Sequence, residues 1–260
     1  MQVGWLNKRL KRARKFYLGL VVVASVFLLI GNPLSVTAEN PSSLPPLKVH
    51  PLPPSLAKIS PDLKAGDYFD QIESTPFGYL IWSEFPIKVY LDRPPEKDDS
   101  SASYQRFQQW TEAVLQAIAD WNVYLPLREV KDPQKADILI QRLEPPLGRK
   151  IDPETGQIQI PRARTAQTRY QFYSTETDPT FLFARMTIQI KPGLSPTATL
   201  AAIRHELGHA LGIWGHSPIE EDVLFYSQTK KSPPISTRDV NTLIKIYQQP
   251  TRLGWPLPKS

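Results

Sequence analysis

Histidine is scarce and unevenly placed in this chain. Of four in 260 residues, three (His205, His209 and His216) fall within twelve positions. His205 and His209 are four apart, so on a helix they project from one face, one turn from each other. Two imidazoles at that separation can share a tetrahedral zinc, and Glu206 points near the open coordination position. Zinc draws the pKa of a bound water toward ~7, and a neighbouring carboxylate can take the proton. Five residues thus supply two ligands and a general base, and a third ligand is still needed. His216 is the best-placed candidate, with Glu220, Glu221 and Asp222 as nearby substitutes. The chain has no cysteine, which excludes a cysteine-ligated zinc and a thiolate nucleophile. It also lacks a glycine-rich phosphate loop, a GxSxG elbow and a basic–aromatic array.

The elements that must position these residues are written on both sides of them. Ser195 followed by Pro196 supplies a capping residue and a proline in the first helical turn. Leu200, Ile203, Leu207 and Leu211 share one face, and Gly212 stops the helix. Downstream, Ser236-Thr237-Arg238-Asp239 has the form of a capping box with Asp in the usual Glu place. Val240, Leu243, Ile244 and Tyr247 form the buried stripe of that last helix. Upstream, Ile87–Leu91 alternates apolar and polar, the period of a half-buried strand. Phe107, Trp110, Val114, Ala117, Ile118 and Trp121 recur at helical spacing, so the two tryptophans read as core. Residues 137–140 and 183–190 read as strands, and residues 157–160 alternate. Strand–helix–strand order followed by helices predicts a mixed α/β or α+β domain.

HELGHALGIWGHS, residues 205–217, resembles the metzincin zinc-binding segment HExxHxxGxxH. Within that clan it is most similar to the matrixin form, a zinc metallopeptidase here of bacterial secreted type, in which Ser follows the third His. Gly212 matches the glycine that turns the chain back toward the metal. The family spacing would put the third histidine at 215, where this chain has Gly215, and His216 follows one later. A one-residue loop insertion with a flexible Gly215 still delivers His216 in this reading. Leu224 takes the place of the methionine in the turn beneath the metal. That swap nearly conserves volume and apolarity. Tyr226, two residues on, matches a metal-proximal or oxyanion-stabilising tyrosine of related metzincins; a packed turn aromatic fits it equally well. The resemblance implies a metzincin-like catalytic domain over residues 77–250. Its expected parts are a small twisted mixed sheet, an active-site helix and a C-terminal helix. It implies zinc as cofactor, a polypeptide substrate and Glu206 as the base that activates the zinc-bound water. The peptide is expected to lie antiparallel along an exposed edge strand, for which residues 158–166 and 183–190 both qualify. A non-catalytic binding protein on the same fold is the alternative, favoured by the shifted His216 and the missing methionine.

Net charge is +6, from 31 basic and 25 acidic residues, yet six of the basic ones precede the first carboxylate, Glu39. The remaining body is neutral, which argues against nucleic acid as a partner. The basic cluster runs into an uncharged stretch, residues 16–30, then Pro33 and Val36-Thr37-Ala38. Residues 1–38 therefore read as a secretory signal cleaved after Ala38, with an uncleaved membrane anchor as the rival. Either exports the body, as a secreted, periplasmic or membrane-tethered monomer. Seven prolines between 41 and 61 make residues 39–76 read as an extended spacer or a propeptide, and residues 251–260 as a tail.

Overall fold

A computed structural model describes residues 44–95, 101–147, 150–151, 155–156, 158–159, 164–227 and 232–258. The described residues belong to the compact unit Glu39–Ser260. The leader proposed at residues 1–38 lies outside them.

In chain order the elements are a short α1 (Pro54–Ala57), β1 (Ile87–Leu91), α2 (Ala102–Asn122), β2 (Leu127–Glu129) and β3 (Ile138–Gln141). Then come β4 (Lys150–Ile151), β5 (Ile158–Gln159), β6 (Ala166–Ser174), β7 (Leu182–Ile190), α3 (Pro196–Ala210) and α4 (Thr237–Tyr247). Five strands make one mixed sheet in the order β2-β1-β3-β7-β6. The first four run parallel and β6 pairs antiparallel to β7, from Ala166 opposite Ile190 to Ser174 opposite Leu182. β4 and β5 form a separate antiparallel pair.

The alternation read in β1 buries Ile87, Val89 and Leu91, while Ile138 and Ile140 of β3 and Met186, Ile188 and Ile190 of β7 continue the same apolar face. Both helices expected around the motif form as their caps require. The Ser195 hydroxyl accepts from Ala198 N at 3.2 Å, and Ser236 and Asp239 complete the reciprocal capping box. α3 packs against β6 and β7 and α2 packs along α3. Trp121, fully buried on α2, donates its indole N–H to the Arg204 carbonyl of α3 at 2.9 Å. Asp120 pairs with Arg204 at 2.6 Å beside it. Trp110 is buried too. At about 1.5–3 kcal/mol per buried large apolar side chain, this contact seals α3 into the core.

The folded unit begins earlier than residue 77 and ends later than residue 250. Leu56 and Tyr68 are core residues, and Thr251 and Leu253 are buried. Lys48 and Thr251 exchange backbone hydrogen bonds at 2.9 and 3.1 Å, and Gly254 N donates to the Leu182 carbonyl at 2.7 Å. The proline-rich stretch over residues 44–76 is thus part of the domain and not a free spacer. Its prolines restrict the unfolded chain, so a few anchors suffice to fix it. A second expectation also changes. β7 lies between β3 and β6, and residues 158–159 belong to the small pair, so neither is the sheet edge beside α3. That edge is β6.

Candidate metal centre

α3 presents His205 and His209 one turn apart, as their spacing requires. His205 Nδ1 lies 2.8 Å from the Val223 carbonyl and His209 Nδ1 2.8 Å from the Ile213 carbonyl. A carbonyl only accepts, so each Nδ1 carries the proton and each Nε2 keeps a lone pair. The two Nε2 atoms face each other across 3.0 Å. With no proton between them, the two lone pairs are placed to converge on one metal ion. Burial, and for His205 the neighbouring His209, lowers both imidazoles to a pKa of about 4, so both stay neutral at physiological pH.

His216 completes the cluster from the loop after α3. Its ring centre is 4.8 Å from that of His209 and 5.3 Å from that of His205. One ring nitrogen from each of the three lies within 4.8 Å of the others. Three neutral imidazoles lining one cleft form a donor set that can hold a metal ion. The substitutes considered from sequence do not join it. Asp222 is buried and taken up by Ser217, Ser236 and Arg238. Glu220 and Glu221 are exposed, outside the cluster.

Glu206 is buried within the same cleft, and Thr168 of β6 donates to its Oε2 at 2.5 Å. Burial pushes its carboxyl above the ordinary range, against the opposing influences of His205 and Thr168. The cleft encloses about 830 Å³. Thr165 to Thr168 of the β6 end form one wall, and the small side chains Ala198, Ala201 and Ala202 of α3 form its base.

The turn that follows the histidines folds back under α3. Ser217 N donates to the Leu224 carbonyl at 2.8 Å and Tyr226 N to the Ser217 carbonyl at 3.3 Å. Leu224 becomes fully buried directly against Gly208. A Cβ on Gly208 would stand 2.5 Å from Leu224 Cδ2. Gly212 turns the chain after the helix with φ 123°, and a Cβ there would meet the Leu80 carbonyl at 2.5 Å. Tyr226 reaches the cleft but is 69% exposed, and its hydroxyl makes no hydrogen bond among the described residues. Trp214 both lines the cleft and packs, edge-on to His209 at 5.7 Å and to Tyr170 at 4.9 Å.

Several supporting residues are not apparent from the sequence alone. Asp239, fully buried at the start of α4, accepts from Val223 N at 3.0 Å, Ser236 N at 2.8 Å and the Tyr68 hydroxyl at 2.6 Å. The main chain of Val223 therefore connects Asp239 to His205, its N–H donating to the one and its carbonyl accepting from the other. Residues 69–73, which include the 3₁₀ turn Phe69–Gln71, strap the ligand loop. Glu73 N donates to the Trp214 carbonyl at 2.9 Å, and Ile72 bridges Gly215. Gly215 is needed for this close approach more than for loop freedom, because a Cβ there would lie 2.1 Å from the Gln71 carbonyl. Thr168 and Glu73 are single polar residues in segments without a motif, which is why spacing does not reveal them; the capping box reveals Asp239 as a cap but not its bonds to Val223 and Tyr68.

In comparison with known proteins, the chain matches no family model and no curated protein.

Proposed function

We propose that this protein is an exported, metzincin-like zinc endopeptidase of matrixin type. The observation that carries the proposal is the convergence of three neutral imidazoles beside a buried carboxylate, in a cleft bounded by a sheet edge. Imidazole-only donor sets with an open position suit zinc. His205, His209 and His216 would hold it; bound there, it supplies Lewis acidity toward a water and a substrate carbonyl.

The remaining chemistry belongs to the chain. Glu206, its proton affinity raised by burial, takes a proton as water oxygen bonds to the scissile carbonyl carbon. It returns that proton to the amine as the C–N bond breaks. Thr168 fixes the carboxylate through its 2.5 Å hydrogen bond. The outer edge of β6 has no paired strand among the described residues, so an extended peptide can add there antiparallel through main-chain hydrogen bonds. Polypeptide is therefore the substrate class, and export follows from reading residues 1–38 as a signal or anchor. The turn at Leu224 keeps the base of the site packed without methionine.

The test uses the full chain loaded with one equivalent of zinc and a general protein substrate. Glu206→Gln is expected to retain zinc and to lose roughly 10²–10⁴-fold in cleavage rate. Stoichiometric zinc with equal rates for the two proteins overturns the peptidase reading and leaves a binding protein on this fold.

A further inference from the structure

The three histidines are not supported alike. His205 and His209 each have a carbonyl oxygen on Nδ1 at 2.8 Å. His216 makes no hydrogen bond from its ring among the described residues, and it is exposed. An imidazole that ligates a metal normally donates its other N–H to a carboxylate or carbonyl, which fixes its orientation and raises its basicity. Glu73 lies on the wall of the same cleft as His216. Its carboxylate has no hydrogen-bond or ion-pair partner among the described residues. Its backbone is pinned opposite the ligand loop by the bond to the Trp214 carbonyl at 2.9 Å and the Ile72–Gly215 bridge. Partial burial lowers the basicity of His216, and the negative charge of Glu73 is the influence acting the other way.

We propose that Glu73 is a positioning residue for His216, with its carboxylate accepting the ring N–H that faces away from the metal. This inference rests on the zinc reading of the cluster. The other two histidines borrow carbonyls from the body that follows them in sequence. The third sits one position later than the metzincin spacing and is steadied from the N-terminal strap. Gly215, the residue displaced into the third-ligand place, is the one the strap approaches so closely that only glycine fits. The residue before His216 is thus the one against which the strap carrying Glu73 is seated.

Replacing the Glu73 side chain leaves the strap's backbone bonds in place, so the carboxylate can be tested alone. In the full chain, Glu73→Ala is expected to weaken zinc binding about 10–100-fold in a chelator competition. The ligand-field absorption of the cobalt-substituted protein is expected to change, with the Tm of the metal-free protein unmoved. Glu73→Gln, which keeps an acceptor oxygen, is expected to recover most of the affinity. Against a His216→Ala background, Glu73→Ala should add nothing, since its effect runs through that ring. Wild-type affinity and an unchanged cobalt spectrum in Glu73→Ala overturn this inference alone. Failure of the wild-type chain to hold one zinc overturns it together with the metal reading.

Discussion

His205 and His209 ride on a capped helix sealed into the core, whereas His216 stands on an exposed loop held by a strap from near the start of the folded unit. On the helix, geometry follows from period. A four-residue spacing, two carbonyls and the packing of Trp121 and Leu224 leave the rings little freedom. On the loop, geometry comes from main-chain pairing across the chain and from the absence of a single Cβ at Gly215. The candidate metal site thus divides its rigidity unequally. The helical ligands are placed by folding itself, and the last is placed by whatever reaches the loop.

That division makes distinct demands on the two sides. Leu224→Ala attacks the helical side by removing the fully buried side chain beneath Gly208. It is expected to cost about 2–5 kcal/mol in denaturant unfolding. A loss below 1 kcal/mol would mean that the turn does not support α3. Gly215→Ala attacks the loop side, where the new methyl would meet the Gln71 carbonyl at 2.1 Å. Overpacking of this sort costs about 1–3 kcal/mol, and the strap, not the helix, should yield. Zinc titration should then show weakened binding while circular dichroism stays native. The smallest effect concerns the anchor of the same N-terminal segment to α4, the Asp67–Lys245 pair at 2.7 Å. Burial alone would raise Asp67. The Lys245 hydrogen bond, the Phe69 backbone bond and the charges of Lys245 and Arg238 together leave it below its ordinary value. A depressed carboxyl stabilises the fold above its unfolded pKa of about 3.9 and loses that contribution as pH falls through the folded value. Asp67→Asn should therefore cost about 0.2–1 kcal/mol near pH 7. Unfolding midpoints of mutant and wild type should converge in acid; a constant gap at all pH values would contradict the pairing.

What could be read from sequence was what repeats with a period or ends with a cap. Ser195, Ser236 and Asp239 cap as expected, and β1, α2, β3, β7 and the two late helices lie where their patterns put them. β6 escapes such reading because its inward face is not uniformly apolar. It carries Ala166, Thr168, Tyr170 and Phe172, and the hydroxyl of Thr168 donates to Glu206. Residues 44–76 escape it for another reason. Their anchors, Leu56 and Tyr68, are single side chains separated by prolines and turns, with no recurring interval. The histidine motif marks His205, Glu206 and His209 by spacing, but the means of holding His216 depends on contacts between segments far apart in sequence.

The pairing of Lys48 with Thr251, and of Tyr68 with Asp239, also has a temporal side. A chain made from its N-terminus exposes residues 44–76 long before their partners in α4 and the final segment exist. Loop closure over such separations comes late in folding. The sheet and α3 can assemble first, with two histidines already in place. The strap itself seats on Trp214 and Gly215, so the candidate metal site closes through contacts between segments far apart in sequence and not within its own motif.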